Sequence, residues 1–147
     1  TQQVSSAASD VYKRQELYIS RTYYDENYAA FHGTSQYSPN NKNVLIKEYG
    51  KNTPCGGSVH SLNNKVYRSA LGGIAEMDQF LNLIETSVIG NFSQSEVYSV
   101  EVINNNVYFG LTDYSNYNKI KVISKDNLEV ASYDVGKIPG DFAVWRK

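Results

Sequence analysis

The chain has 147 residues, a formal net charge of −1, 41% hydrophobic and 20% charged residues, so it is long enough for one domain with a real core. A near-neutral balance without a basic stripe excludes a field that would gather nucleic acid or an acidic membrane. No run approaches the roughly 18 apolar residues of a membrane span, and a single cysteine, Cys55, excludes an internal disulfide and any Cys/His zinc spacing.

Residues 1–15 read as a non-native or disordered leader. Ser5-Ser6-Ala7-Ala8-Ser9-Asp10-Val11-Tyr12-Lys13-Arg14-Gln15 resembles a translated sequencing adapter, and such a scar lies outside fold reasoning. The natural N-terminus is therefore expected to be missing, along with any export signal.

From Glu16 onward the chain repeats itself. Ser58-Val59-His60-Ser61-Leu62-Asn63-Asn64-Lys65-Val66-Tyr67 returns 41 residues later as Ser99-Val100-Glu101-Val102-Ile103-Asn104-Asn105-Asn106-Val107-Tyr108, with six of ten positions identical. Ile74 and Gly90 return at Ile120 and Gly136, a shift of 46, the difference being absorbed by the loop Asp113–Tyr117. Leu17–Thr22 matches Val107–Thr112 at a shift of 90. A period of about 40–45 residues with several strand-like runs predicts an all-β chain, a fragment of a β-propeller with about three four-stranded antiparallel blades.

The copies span about 16–50, 57–90 and 97–136 within a partial propeller over 16–147. The first has lost its opening strand; its loop Thr22–Tyr28 precedes the apolar run Val44-Leu45-Ile46, which Gly50 closes. In the second, Gly57–Leu62, Lys65–Ala70, Ile74–Asp78 and Asn82–Ile89 are expected strands, with a helical turn over Glu76–Leu83 as a competing reading. In the third, Val97–Ile103, Val107–Thr112, Asn118–Ser124 and Leu128–Val135 are strands. Asn63-Asn64 and Asn104-Asn105 are expected in tight hairpin turns, because Asn tolerates positive φ. Phe142–Trp145 is expected as a twelfth, trailing strand. Since closed rings use typically about 4–8 blades, the chain is expected to be a C-terminal fragment, partnered by missing N-terminal blades and poorly soluble, dimeric or marginally folded when alone.

Tyr133-Asp134-Val135-Gly136-Lys137-Ile138-Pro139-Gly140 resembles the V-G-x-x-P junction of YVTN-type β-propeller repeat proteins. Val107-Tyr108-Phe109 and Ile120-Lys121-Val122-Ile123-Ser124-Lys125-Asp126 resemble two strands of the same repeat. The third copy matches best; the second keeps Val66-Tyr67 and Gly90 but lacks the proline. The resemblance implies an exported bacterial protein of the periplasm or cell surface, often a lipoprotein, and no particular activity.

Function is expected on the loops. Those joining strands two and three, Thr22–Tyr28 and Asp113–Tyr117, share a face with the linkers Lys51–Gly56, Asn91–Ser95 and Lys137–Gly140. The candidate ligand-binding residues are Tyr23, Tyr24, Asp25, Asn27, Tyr28, Asp113, Tyr114, Asn116 and Tyr117. Ring faces beside carboxylate and amide groups suit a small molecule, a glycan or a protein partner. A structural or interaction scaffold is the alternative, and a lactonase-like or quinoprotein-like enzyme is a third reading. His60, at the repeat position of Glu101, reads as a satisfied structural histidine; Cys55, beside Gly56-Gly57, reads as a small semi-buried residue. No motif calls for a catalytic residue, a cofactor or a metal. Asp25, Glu26 and Asp113 lack the spacing of a calcium loop.

Overall fold

The computed structural model describes residues 16–51 and 57–145. Cys55, most of the loop Lys51–Gly56 and the leader lie outside the described residues. The protein is all-β. Its strands are β1 (Leu17–Tyr24), β2 (Ala30–Ser38), β3 (Asn43–Lys51), β4 (Val59–Leu62), β5 (Lys65–Ala70), β6 (Gly73–Met77), β7 (Leu83–Ile89), β8 (Val97–Ile103), β9 (Asn106–Thr112), β10 (Asn118–Ser124) and β11 (Glu129–Asp134). They form three antiparallel meanders: sheet 1 is β1-β2-β3, sheet 2 is β4-β5-β6-β7, and sheet 3 is β8-β9-β10-β11. The three sheets among the described residues are fewer than the roughly 4–8 of a closed ring.

The turns explain the registers. Asn63 and Asn64 have φ of 51° and 60°, Asn104 and Asn105 of 50° and 62°. These are two-residue hairpins of the mirror-image type, whose twist matches that of the flanking strands. Glu76–Leu83 contains no helix. It is the end of β6, a turn and the start of β7, because Asp78 Oδ1 accepts from the amides of Phe80 and Asn82, both at 2.8 Å.

Thr22, Tyr23 and Tyr24 belong to β1 rather than to a loop; β-branched and aromatic residues extend the strand until Asp25 turns it. Phe142–Trp145 forms no strand. An extended segment becomes a strand only by pairing, and this one lies across the outer face of sheet 3, with Phe142 6.0 Å from the Tyr108 ring.

Alternation along each strand gives every sheet two faces, and the two interfaces between sheets differ in chemistry. Between sheets 2 and 3 lies the apolar core. Leu62, Tyr67, Ile74 and Ile89 meet Val97, Val100, Val107, Phe109, Leu111 and Ile123, each worth about 1.5–3 kcal/mol when fully buried. Phe92 packs edge-on against Phe109 at 5.0 Å. Gly90, with φ of 99°, leaves room for that ring, since a Cβ there would lie 2.8 Å from it. The start of the linker is tied twice: the Phe92 amide donates to the Gly72 carbonyl at 3.0 Å, and the Gly90 amide donates to Asn127 Oδ1 at 2.8 Å.

Between sheets 1 and 2 the contact is polar. Arg68, 1% exposed, donates through Nη1 to Ser20 Oγ at 2.9 Å and Thr34 Oγ1 at 3.2 Å. Its guanidinium lies 5.3 Å from the Tyr49 ring centroid. Tyr49 donates its hydroxyl to the Leu81 carbonyl at 2.7 Å. The outer face of sheet 1 is open: Leu17, Ile19, Val44 and Ile46 are each more than half exposed.

Candidate functional site

The two Tyr-bearing loops are built by their aspartates. Asp25 Oδ1 accepts from the amides of Asn27 at 2.9 Å and Ala29 at 2.8 Å. Asp113 Oδ1 accepts from Ser115, Asn116 and Tyr117, all at 2.8 Å. Those amides stabilise the anion and hold the Asp113 carboxyl below its ordinary value. Asp25 and Asp113 therefore serve as turn caps, with their Oδ1 lone pairs already engaged.

The loops are not copies of each other in conformation. In Asp25–Ala29 the left-handed residue is Tyr28, the fourth; in Asp113–Tyr117 it is Tyr114, the second. The Asp25 turn matches two others instead. In Asp25–Ala29, Asp78–Asn82 and Ser124–Leu128 alike, the first amide donates to the fifth carbonyl and the fourth amide to the first carbonyl. In each, the fourth residue (Tyr28, Leu81 or Asn127) has φ near 60°.

The candidate side chains divide by exposure. Tyr24, Tyr28 and Tyr114 are exposed, Tyr28 at 87%; Asn27 and Asn116 stand exposed beside them. Tyr114 meets the Tyr98 ring edge-on at 6.0 Å. Tyr23 instead stacks on Phe31 at 5.5 Å, with Arg21 5.4 Å from its ring. Burial, then the neighbouring Glu48, pushes the Tyr23 hydroxyl above its ordinary value. Tyr117 packs against the core between sheets 2 and 3, with Lys119 Nζ 5.8 Å from its ring.

The loops sit on sheets 1 and 3, and sheet 2 stands between: β4 touches β1 on one side and β8 on the other. Each loop is held by hydrogen bonds within its own sheet. Among the described residues no three His, Cys, Asp or Glu side chains gather where a metal ion would fit. No helix among them is long and apolar enough to cross a membrane.

Three polar or aromatic groupings lie away from these loops. Arg68 stands at the repeat position of Phe109, an arginine where the third copy carries an aromatic, and that mismatch was readable at the 41-residue shift. Burial lowers the pKa of the Arg68 guanidinium, while Tyr49 opposes that. The second grouping is Ser58, His60 and Ser69 on one face of sheet 2, with Glu101 of β8 nearby. His60 is buried and hydrogen-bonded to Ser58, and its Nδ1 lies 3.9 Å from Oε1 of Glu101, which shares the Tyr108 face of sheet 3 and keeps its side chain partly exposed. The third is a groove of about 370 Å³ on the outer face of sheet 3, lined by Tyr108, Ile120, Tyr133, Phe142 and Trp145.

No family model, curated protein or solved structure matches the chain.

Proposed function

We propose that the chain is part of a ligand- or partner-binding β-propeller of the YVTN-repeat kind, exported to the periplasm or surface of a bacterium. It would bind a small molecule, a glycan or a protein partner through its Tyr/Asn-rich loops. The observation that carries this reading is the pair of carboxylate-clamped turns holding Tyr28 and Tyr114 out of the body of the protein, with Asn27 and Asn116 beside them. A rigid turn presents an aromatic face at little ordering cost, and the adjacent amides supply directional hydrogen bonds. The repeat motifs and the antiparallel meanders of three and four strands support the propeller, and the resemblance to YVTN-type repeats is what suggests an exported setting.

A glycan array probed with the chain and with a Tyr28→Ala/Tyr114→Ala variant tests the binding reading. The wild type should give signals that the double variant loses while its thermal transition stays in place. A wild-type chain without signal, or a variant that retains every signal, would remove these loops as a glycan site.

The open face of sheet 1 favours a second reading, an interaction scaffold. Leu17, Ile19, Val44 and Ile46 form an apolar surface of the kind that marks an interface. Further blades of the same protein are the partner that the repeat suggests for it.

A further inference from the structure

We infer that Ser58, His60 and Glu101 form a serine-centred acyl-transfer site whose substrate class is the carboxylic ester. Ser58 Oγ lies 2.6 Å from His60 Nε2, within reach for a base to accept the hydroxyl proton. His60 Nδ1 lies 3.9 Å from Glu101 Oε1, beyond hydrogen-bond distance, and that oxygen accepts from the Val102 amide at 3.0 Å, so the half-exposed carboxylate acts on the ring through its charge, favouring the tautomer with its proton on Nδ1 and Nε2 as the acceptor. Ser69 Oγ lies 3.1 Å from Ser58 Oγ and 3.3 Å from Nε2. Its amide donates to the Ser58 carbonyl at 3.0 Å, which fixes Ser58 against β5.

Burial differs across the group in the sense the chemistry needs. His60 and Ser69 are buried, Ser58 is half-buried and the Glu101 side chain is 42% exposed. Burial outweighs Glu101 and keeps the imidazole neutral further into acid than an exposed histidine. A purely structural histidine is satisfied by any two partners. This one has a hydroxyl nucleophile on one nitrogen and an acid on the side of the other.

Ser58 Oγ bonds to the ester carbonyl carbon while its proton passes to His60 Nε2. The carbon–oxygen bond to the alcohol breaks, and the alcohol leaves with that proton. Water, activated by the same nitrogen, then attacks the acyl-serine, releasing the acid and restoring Ser58. Glu101 is a positioning residue for His60.

A fluorophosphonate probe tests this on the full chain, since the attacking serine oxygen displaces fluoride and keeps the phosphonate. Peptide mapping should place the adduct on Ser58 rather than on Ser61, which is exposed on the opposite face of β4. Labelling should rise with pH through the titration of His60, and His60→Gln should slow it on the order of a hundredfold. Glu101→Gln should move the midpoint of that pH profile downward, a change that loss of packing alone does not produce. The labelled protein should lose hydrolysis of p-nitrophenyl acetate. If His60→Gln fails to fold, the wild-type pH profile decides. An absent adduct at Ser58, equal labelling of Ser58 and Ser61, a flat pH profile, or acetate hydrolysis unaffected by the adduct would each overturn the assignment.

Discussion

Arg68 and Phe109 occupy one position of the repeat, 41 residues apart, and each points at the preceding sheet. Phe109 meets an aromatic ring and a glycine, whereas Arg68 meets two hydroxyls and a phenol ring. One repeat position thus sets whether a sheet-to-sheet contact is apolar or polar.

The two substitutions should therefore behave differently in denaturant unfolding. Phe109→Ala removes a fully buried ring from the apolar interface and should cost about 3–5 kcal/mol. Arg68→Met keeps much of the volume and removes a desolvated charge, so it should lie within about 1 kcal/mol of wild type or above it. An Arg68→Met loss as large as that of Phe109→Ala would show that the guanidinium stabilises the polar interface.

The buried histidine of sheet 2 gives stability a pH dependence. Burial lowers the folded pKa of His60 below the ordinary value of 6.5. The unfolded chain then binds more protons between the two values, so the contribution is full above about 6.5 and is lost as pH falls through the folded value. Thermal melts of wild type should drop over that acid window. His60→Gln should flatten this part of the curve, and an unchanged slope would remove His60 as its source.

The aspartate caps predict an order among variants. Asp113→Ala leaves three amides without an acceptor and should lower the melting temperature. Asp113→Asn keeps a carbonyl oxygen in place and should fall between Ala and wild type. Equal melting of the Ala and Asn variants would mean that the amides find water without cost.

The tight turns predict a gain. Asn105 sits at φ of 62°, a conformation open to Gly without steric strain. Asn105→Gly should be neutral or slightly stabilising, and Asn105→Ala should cost about 1 kcal/mol, the penalty of a side chain forced left-handed. Measured stabilities in the reverse order would place the turn in another class.

The repeat made most of the fold legible. Paired Asn residues marked the hairpins, and alternating apolar residues marked strands buried on both faces. What sequence could not supply was the partner of each element. Phe142–Trp145 has strand-forming residues but forms no strand, and Tyr23 and Tyr117 read as loop aromatics although packing claims both rings. The Tyr loops were legible as loops, since Asp25 and Asp113 start them. The order of the sheets, with β4 touching both β1 and β8, was not, because alternation along a strand gives its faces without giving what stands opposite. Ser58 and Ser69 carried no motif; only the hairpin register brings them together beside His60.

The hydrogen bond from the Gly90 amide to Asn127 spans 37 residues and joins the exit of β7 to the turn between β10 and β11. Its consequence concerns cooperativity. The turn of sheet 3 cannot open without releasing the end of sheet 2, and Phe92 fastens the linker back to Gly72. Sheets 2 and 3 should accordingly open as one unit in native-state hydrogen exchange, with the Gly90 amide exchanging alongside the amides of β9 rather than with the surface turns.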